Sequence, residues 1–585
     1  MGKNGWKPIL INAFTLTILA LIVLGGATYT IAKRALWRKN ALERIRSLWG
    51  KIPQRQNKER ETTLFHDLKG EAEQSWHTDD RTWEDLYMAE IFQRIDHCRS
   101  RVGSQVLYDM LRTPSFQTED LETRDRLVKL FTADPELREQ AQVVLEALET
   151  PDAGLLANLF FTTIPPRPRM YLLYPALALC VLLGIAATLL HYQVWMVFIP
   201  LILANIIVAQ AYQKKIESWI KPLRVVNTLV RTAERLHRLV EAKSDPDLTQ
   251  IALPYRDNRQ AARVLEGLTS WLMIERNSNA SDLGSILVQY LNMIFLLDVN
   301  SFVFSMEAVR SRQSLIRVLF EMVGTLDALI AVASYRDSLS TYCVPTFGPP
   351  EKRLTIEEAL HPLLLNGVPN SLKVEQRGIF VTGSNMSGKT TFIRTVAVNA
   401  MLAQTIVTCT ARRYEAPLLE VHTSIGRSDS LQEGKSYYMS EVEAIGSFIE
   451  DAADAAPCLF VIDEIFRGTN TTERVAASKA VLDALNRTDG SHVVLVSTHD
   501  IDLSNLLRTP WDRYHFREYV EEGELQFDYQ IRPGLSSSRN ALRLLAACNY
   551  PATVVADAEA TAAHLDLEAR RRMGLPPGIT ESAPE

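Results

Sequence analysis

The chain carries a glycine-rich loop whose residue types suit the binding of phosphate. Residues 383–390 read G-S-N-M-S-G-K-T and follow the apolar run 378–381. A strand, a tight glycine turn and a helix in this order make a phosphate-binding loop, because successive backbone N–H groups then point at one anion. Lys389 would place a positive charge on the β- and γ-phosphates, and Thr390 would offer a hydroxyl to Mg²⁺. The predicted nucleotide-binding residues are Gly383, Ser384, Asn385, Met386, Ser387, Gly388, Lys389, Thr390 and Thr391.

Two further apolar runs end in residues that would complete such a site. The run 457–464 is predicted to be a strand that ends in Asp463 and Glu464. Asp463 would join Thr390 as a metal residue in the Mg²⁺ shell, and Glu464 would orient or deprotonate the attacking water. The run 491–500 places His499 just past another strand, where an imidazole can contact the γ-phosphate or the water. The three segments together predict hydrolysis of a nucleoside triphosphate, with ATP and Mg²⁺ as the expected ligands.

The sequence motifs in these segments resemble those of the MutS family of DNA mismatch-repair ATPases. Residues 382–390 are similar to that family's T-G-P-N-M-G-G-K-S/T loop, although Ser384 and Ser387 replace its Pro and Gly. Residues 463–469 resemble D-E-x-x-R-G-T, and residues 436–442 resemble S-x-F-x-x-E-M. The resemblance covers about residues 354–558. No L-S-G-G-Q stretch occurs, which argues against the transporter class of ATPases.

The resemblance implies a dimer with composite sites. In that family each site takes its loop from one subunit and its signature serine from the other, so Ser436 is expected to act catalytically on the partner's ATP while Glu441 braces the segment. The expected assembly is a homodimer joined through the ATPase domains. From the residues alone, Ser436 could equally be a solvated loop serine, because residues 432–435 read as a loop.

The region upstream of the loop is predicted to be helical. Residues 79–114 and 326–345 resemble the beginning and end of the MutS core domain. Between them, apolar residues recur at helical spacing and define one face. This face consists of Ile216, Ile220, Leu223, Val230, Ala233 and Leu236. The expected domain is an all-α lever, and an unrelated helical bundle is the alternative.

Three segments without charged residues, 8–32, 170–190 and 192–213, are long enough to span a bilayer. Clusters of Lys and Arg next to these segments would all lie on one side of the membrane. That side would be the cytoplasm, because cytoplasmic loops of membrane proteins carry an excess of Lys and Arg. The sequence therefore predicts a multi-pass protein of the inner (cytoplasmic) membrane, in contact with membrane lipid, with its ATPase domain in the cytoplasm. The alternatives are buried core helices and, for the first segment, a cleaved signal peptide.

The predicted fold is a C-terminal α/β P-loop ATPase domain plus an all-α MutS-core-like lever domain, with three transmembrane helices. The predicted domains are a membrane anchor at 1–40, a linker at 41–78, the helical domain at 79–350 interrupted by a transmembrane hairpin at 170–213, the ATPase domain at 351–560, and a disordered tail at 561–585. Only about 50 residues separate the first apolar segment from the core, too few for the family's mismatch-reading domain.

Composition limits the choice of function. The formal net charge is −6 and the isoelectric point is near 6.1, so there is no global electrostatic argument for nucleic acid. The six cysteines show no C-x-x-C spacing, and no metal site beyond nucleotide-bound Mg²⁺ is expected. The predicted function is a membrane-anchored MutS-family ATPase that couples hydrolysis at composite dimer sites to lever motion, with double-stranded DNA as a possible partner. The alternative is an ATP-gated membrane or signalling switch without mismatch recognition.

Overall fold

The computed structural model of the chain describes most of its residues, and they fall into two compact units. The described residues are 28, 32–33, 35–53, 59–72, 76–164, 166, 169–190, 195–269, 290–364, 366–384, 386–426, 437–453, 456–467, 469–487, 490–521, 524–535 and 550–572. We call residues 1–75, 93–110 and 123–339 the helical unit, and residues 76–92, 111–122 and 340–585 the sheet unit.

In the described residues before 340, the regular elements are helices, and the first is a helical stretch at 35–48. They are α1 (Glu59–Thr62), α2 (Leu64–Ala72), α3 (Asp80–Asp85), α4 (Met88–Ile95), α5 (Arg101–Arg112), α6 (Thr118–Ala133), α7 (Pro135–Leu145), α8 (Asn158–Phe161), α9 (Leu173–Leu190), α10 (Trp195–Lys243), α11 (Pro246–Asp257), α12 (Arg259–Thr269), α13 (Leu297–Arg310) and α14 (Gln313–Ser338). Short 3₁₀ helices span Glu146–Leu148 and Pro151–Leu155.

The long helix α10 has the apolar face that its sequence spacing predicts. Five of the six residues of that face are buried, namely Ile220, Leu223, Val230, Ala233 and Leu236. The side chain of Ile216 lies outside the described residues. Capping residues explain where neighbouring helices begin: the carboxylates of Asp134 and Asp245 accept hydrogen bonds from the backbone N–H groups of Leu137 and Leu248, each at 3.0 Å.

A buried aspartate fixes the beginning of α5 against α14. Asp327 accepts hydrogen bonds from the backbone N–H groups of Arg99 and Ser100 and from the Ser100 hydroxyl. Burial raises the pKa of Asp327 to about 6, although these hydrogen bonds oppose the shift. Gly103 allows this close approach, because a Cβ atom there would lie 2.2 Å from Oδ2 of Asp327.

The prediction of membrane-spanning helices is not supported. Among the residues that the structure describes, no helix combines the length and the apolar character needed to cross a membrane. Most of the first predicted segment, 8–32, lies outside the described residues. The segments 170–190 and 192–213 correspond to α9 and to the first part of α10, and residues 191–194 also lie outside the described residues.

Helices α9 and α10 make contacts within the helical unit. The two helices pack against each other and against α13, so part of their apolar surface is used inside the helical unit. Polar groups on them find partners there: the hydroxyls of Tyr174 and Tyr212 are hydrogen-bonded, and Nδ2 of Asn205 donates to the Ile294 carbonyl at 2.8 Å. The predicted fold with three transmembrane helices and the predicted multi-pass membrane location are corrected by this finding, and contact with membrane lipid is not supported.

The sheet unit contains two sheets and the remaining helices. Its strands are β1 (Thr346–Phe347), β2 (Arg353–Ala359), β3 (Asn370–Glu375), β4 (Gly378–Thr382), β5 (Arg413–Ala416), β6 (Glu420–Ser424), β7 (Cys458–Asp463), β8 (Val493–Ser497), β9 (Trp511–Glu521) and β10 (Glu524–Pro533). Its later helices are α15 (Lys389–Thr405), α16 (Tyr437–Asp451), α17 (Thr471–Leu485), α18 (Ile501–Leu506) and α19 (Ala552–Arg572).

The larger sheet brings the predicted motifs to one edge. Its strand order is β10-β9-β4-β8-β7-β6, and only β10 runs antiparallel to its neighbour. Strands β4, β7 and β8 are buried apart from a half-buried residue at the end of β7, and aromatic and aliphatic side chains of β7 pack against α16 and α17. Because parallel strands end at the same edge, the residues that follow β4, β7 and β8 meet there. The smaller sheet has the order β1-β5-β2-β3.

Candidate functional site

The loop after β4 has the backbone that a phosphate-binding turn requires. Gly383 and Gly388 have φ angles of 139° and 106°, in the region that residues with a side chain rarely adopt. A Cβ atom on Gly383 would also lie 3.0 Å from the Phe516 carbonyl oxygen. Helix α15 begins directly after Gly388, so its first N–H groups face the turn. This arrangement concentrates positive partial charge where an anion would bind.

Lys389 places its ammonium group inside this turn. Its side chain is buried, and Nζ donates to the carbonyl oxygens of Gly383 at 2.6 Å and Ser384 at 2.8 Å. Burial lowers the pKa of Lys389, while the carboxylates of Glu464 and Asp463 oppose the shift. The lysine is therefore held over the loop by short contacts, with two acidic groups close enough to favour its charged form.

Thr390 and Asp463 come together across the two strand ends. The Thr390 hydroxyl donates to Oδ2 of Asp463 at 2.6 Å. Burial raises the pKa of Asp463, and the hydrogen bond from Thr390 opposes the increase. Its other oxygen, Oδ1, is buried and accepts no hydrogen bond from the residues that the structure describes. A hydroxyl and a carboxylate with a spare oxygen are ligands of the kind that Mg²⁺ prefers, so these two residues fit that ion.

Glu464 and His499 form a pair beside the metal residues. Nδ1 of His499 lies 2.6 Å from Oε2 of Glu464. Burial would raise the pKa of Glu464, but the contact with His499 and the charge of Lys389 outweigh it, so this pKa is lowered. The same contact raises the pKa of His499. Oε1 of Glu464 is buried and has no hydrogen-bond partner within the described part of the chain, so it remains free to accept a proton.

The backbone around Glu464 is held in an unusual conformation. Glu464 and Phe466 have φ angles of 52° and 58°, which cost energy for residues with a side chain. Two contacts hold this turn: the Glu464 N–H donates to the Ser497 carbonyl at 2.8 Å, and the Phe466 N–H donates to the carboxylate of Glu441 at 2.5 Å. Glu441 is itself buried, and burial raises its pKa. Helix α16 thus orients the acidic turn through one side chain.

A second wall of the site was not assigned a role from the sequence. The loop residues border a cavity of about 850 Å³ that is also lined by Leu360, Asn370, Phe516 and Tyr529. The amide of Asn370 donates to the Tyr529 carbonyl at 2.9 Å and accepts from the Ile531 N–H at 2.8 Å. This pairing holds Tyr529, whose φ is 52°, at an irregularity in β10. The aromatic wall suits a planar base.

The structure brings most of the predicted site residues to this cavity. Its lining includes Ser384, Met386, Gly388, Lys389, Thr390, Thr391, Asp463 and Glu464. Gly383 contacts Lys389, and His499 reaches the cavity through Glu464. The hydroxyl of Ser387 is turned into the loop and donates to the Ser384 carbonyl at 2.8 Å. Asn385 and Ser436 lie outside the described residues.

A comparison with protein families finds a match in the part of the chain that contains the loop residues. The family model described as MutS domain V matches residues 379–566, about a third of the chain. The DNA mismatch repair protein MutS of Thermus thermophilus is 32% identical over 272 residues, which are 46% of this chain and 32% of that protein. The DNA mismatch repair protein msh3 of Aspergillus fumigatus is 30% identical over 282 residues, or 45% and 25% of the two chains.

A third relative extends the range of organisms. The DNA mismatch repair protein MutS 2 of Haloarcula marismortui is 28% identical over 269 residues, which are 41% of this chain and 28% of that protein. The chain therefore spans about a third or less of the length of these curated relatives.

Proposed function

Through its C-terminal region the chain belongs to the MutS family, and we propose that it is an ATPase that hydrolyses Mg²⁺-bound ATP at the edge of the larger sheet. Proteins of this family are in general ATPases that use Mg²⁺. The observation that carries the proposal is the contact between Thr390 and Asp463, with Glu464 next in the chain and Lys389 inside the same turn. Two of these residues begin α15 and the other two lie at the end of β7, and together they supply a metal site, a base and a phosphate-binding cation.

Each residue has one task in the proposed reaction. The loop N–H groups and Lys389 bind the β- and γ-phosphates, while Thr390 and Asp463 hold Mg²⁺, which when bound neutralises charge on the phosphate oxygens. Glu464 orients the attacking water and takes its proton on Oε1. Its lowered pKa keeps it ionised at neutral pH, and His499 holds the other carboxylate oxygen in place. The base of ATP packs against the ring of Tyr529. The position of this ring beside Gly388 of the loop supports that placement.

The first test is steady-state ATP turnover with Lys389→Ala. Loss of the phosphate-binding charge is expected to lower kcat/KM on the order of 100-fold or more. The matched control is Lys373→Ala, which removes an exposed lysine of β3 in the same unit and should leave turnover unchanged. Equal turnover of the wild type and Lys389→Ala would reject the proposed site.

We also propose that the active form is a homodimer in which Ser436 reaches the partner's ATP. Family membership supports this arrangement, since the family works as dimers. The test is light scattering of Glu464→Gln with and without Mg²⁺ and ATP, because slow hydrolysis should retain the ATP-bound dimer. Adding Ser436→Ala should weaken ATP-dependent dimerisation. A constant monomer under both conditions would exclude composite sites.

Double-stranded DNA is the proposed effector. The relatives are named as DNA mismatch repair proteins, and this supports a related role. The formal net charge of the chain, −6 at pH 7, favours the second candidate, an ATP-gated switch that does not bind DNA. Turnover measured with and without matched and mismatched duplexes at several salt concentrations separates the two. Stimulation that weakens with salt supports DNA as the effector, whereas unchanged turnover and negligible DNA binding support the switch.

A further inference from the structure

Three potential metal ligands of different kinds meet at the other end of the larger sheet. Glu420 and Cys458 are the first residues of β6 and β7, and they are direct partners in the parallel pairing. His422 lies two residues along β6, so its side chain is on the same face. We call Glu420, His422 and Cys458 the β6–β7 cluster. Its ligand atoms, a carboxylate oxygen, an imidazole nitrogen and the thiol sulfur, all lie within 4.8 Å of one another.

The imidazole of His422 is oriented toward the other two groups. Its Nδ1 lies 3.4 Å from Oδ2 of Asp451, at the end of α16, and its Nε2 lies 3.9 Å from Oε2 of Glu420. A carboxylate next to one ring nitrogen fixes the tautomer and leaves the other nitrogen as a ligand, as in many zinc sites. Nε2 is buried, and no described residue forms a hydrogen bond with it.

The surroundings would keep the three groups in place. Cys458 is completely buried, and the side chain of His422 is 12% exposed. The ring of His422 packs against those of Phe460 and Phe448, with centroids 5.4 Å and 5.8 Å away. A third ring, that of Trp76, lies 6.5 Å away. This aromatic shell limits rotation of the imidazole, and a low-polarity environment strengthens charge interactions inside it.

A neighbouring histidine supports the backbone and is not part of the cluster. Nδ1 of His492 accepts a hydrogen bond from the Cys458 backbone N–H at 3.2 Å. Burial lowers the pKa of His492, and the backbone of Ala452 opposes this shift. His492 therefore supports the backbone of β7. His422 differs because no described residue forms a hydrogen bond with its Nε2, which lies 3.9 Å from the carboxylate of Glu420.

We propose that the β6–β7 cluster binds a divalent ion of the zinc class, with Cys458, His422 and Glu420 as ligands and water in a fourth position. Thiolate, imidazole and carboxylate together are the ligand set of Zn²⁺, whereas Mg²⁺ prefers oxygen alone. Ligands at roughly 2.0–2.3 Å from a tetrahedral ion are about 3.3–3.8 Å apart, so side-chain shifts of about 1 Å would close the site.

Binding has a defined proton balance. The Cys458 thiol loses its proton to solvent when sulfur binds the ion, while His422 binds as the neutral imidazole and keeps the proton on Nδ1, facing Asp451. The ion would join β6, the edge strand, to β7. It would thereby stabilise the pairing at the end of the sheet opposite the nucleotide site, independently of whether ATP is hydrolysed.

The test measures metal directly on the whole chain. The wild-type protein, free of nucleotide, is loaded with Zn²⁺, dialysed, and analysed for zinc by mass spectrometry. About one equivalent is expected, and His422→Gln and Cys458→Ser should each lose it. Cys343→Ser removes a half-buried thiol elsewhere in the sheet unit and should retain the zinc. Zinc bound instead at Thr390 and Asp463 would persist in His422→Gln, and that result would overturn the proposal.

A second measurement protects the test against variants that fail to fold. Co²⁺ in place of Zn²⁺ should give the wild-type protein the absorption of a thiolate-to-cobalt transition together with the visible bands of a tetrahedral ion. Glu420→Gln should shift those bands without abolishing the thiolate transition. If wild-type protein binds no zinc after dialysis, or its cobalt spectrum lacks the thiolate transition, the cluster is not a metal site.

Discussion

The two ends of strand β7 carry different kinds of chemistry. At its carboxyl end, Asp463 and Glu464 lie among Lys389, Thr390 and His499, and the backbone adopts positive φ angles. At its amino end, Cys458 lies beside His422 and Glu420 in a regular parallel pairing. The rise of a strand puts Cys458 about 17 Å from Asp463, because the two are five residues apart. The first end is marked by consecutive motif residues, whereas the second is assembled only by pairing of strands.

The two ends of β7 differ in backbone strain and in the charged groups around them. At the carboxyl end, Asp463 and Glu464 each have one buried oxygen atom without a hydrogen-bond partner among the described residues. Such groups beside a strained turn suit a substrate, which is bound and then converted. The amino end has regular backbone and an aromatic shell, which suit a ligand that stays. The comparison predicts that changes at one end affect turnover and changes at the other do not.

The largest effect is expected for Glu464→Gln. Glutamine cannot take the proton of the attacking water, so kcat should fall on the order of 100- to 10,000-fold while ATP binding persists. Single-turnover hydrolysis and equilibrium binding of ATP measure the two separately. Glu450→Gln, on the exposed face of α16, is the matched control. Unchanged turnover in Glu464→Gln would remove this residue from its proposed role.

A smaller effect is expected for Glu441→Ala, which tests whether the strained turn is held by α16. The change leaves the buried N–H of Phe466 without its acceptor, which typically costs about 1–3 kcal/mol of unfolding free energy. Turnover should fall as well, because Glu464 would no longer be oriented. Glu441→Gln retains an acceptor oxygen and should restore much of both. If chemical denaturation gives equal stability for Glu441→Ala and the wild type, the brace is unimportant.

A shift of the pH profile is expected for His499→Ala. In the wild type, His499 lowers the pKa of Glu464 against the effect of burial. Without the histidine, burial is opposed less, so the pKa of Glu464 rises and less of it is ionised at a given acidic pH. The acid limb of kcat should therefore move to higher pH. His564→Ala, on the exposed side of α19, should leave the profile in place, and an acid limb that moved downward would contradict the pairing.

The smallest effect is expected for Cys458→Ser. If the two ends of β7 act separately, kcat and KM for ATP should remain within about twofold of the wild type, since no contact of the nucleotide site is removed. Zinc should raise the thermal midpoint of the wild type but not that of Cys458→Ser, because an ion that binds only the folded state stabilises it. A large loss of turnover in correctly folded Cys458→Ser would show that the two ends are coupled.

Local patterns in the sequence were enough to locate several elements of the sheet unit. The apolar runs at 378–381, 457–464 and 491–500 coincide with strands β4, β7 and β8, and a helix begins at Lys389, directly after the glycine turn. These segments were recognisable because a buried parallel strand is a continuous apolar run and the motif residues are consecutive. The buried face of α10 was recognisable for a similar reason, its helical periodicity.

Apolar composition was a poor guide in α9 and α10, where it led to the wrong prediction of membrane spans. A charge-free run does not say what it packs against, and Asn205 and Tyr174 have partners that lie far away in the chain. The second wall of the nucleotide site could not be given a role from the sequence, because Tyr529 follows Gly388 by more than a hundred residues and is positioned by Asn370.

The sequence by itself determined the phosphate-binding turn, the acidic residues after β7 and the order in which they occur, because each depends on neighbours in the chain. Only the tertiary structure decided that Thr390 donates to Asp463, that Glu441 holds the Phe466 N–H, and that Glu420, His422 and Cys458 share a face. Those contacts depend on which strands lie side by side and in which register. That choice is made by packing of the whole sheet and its helices, and no spacing within a single segment encodes it.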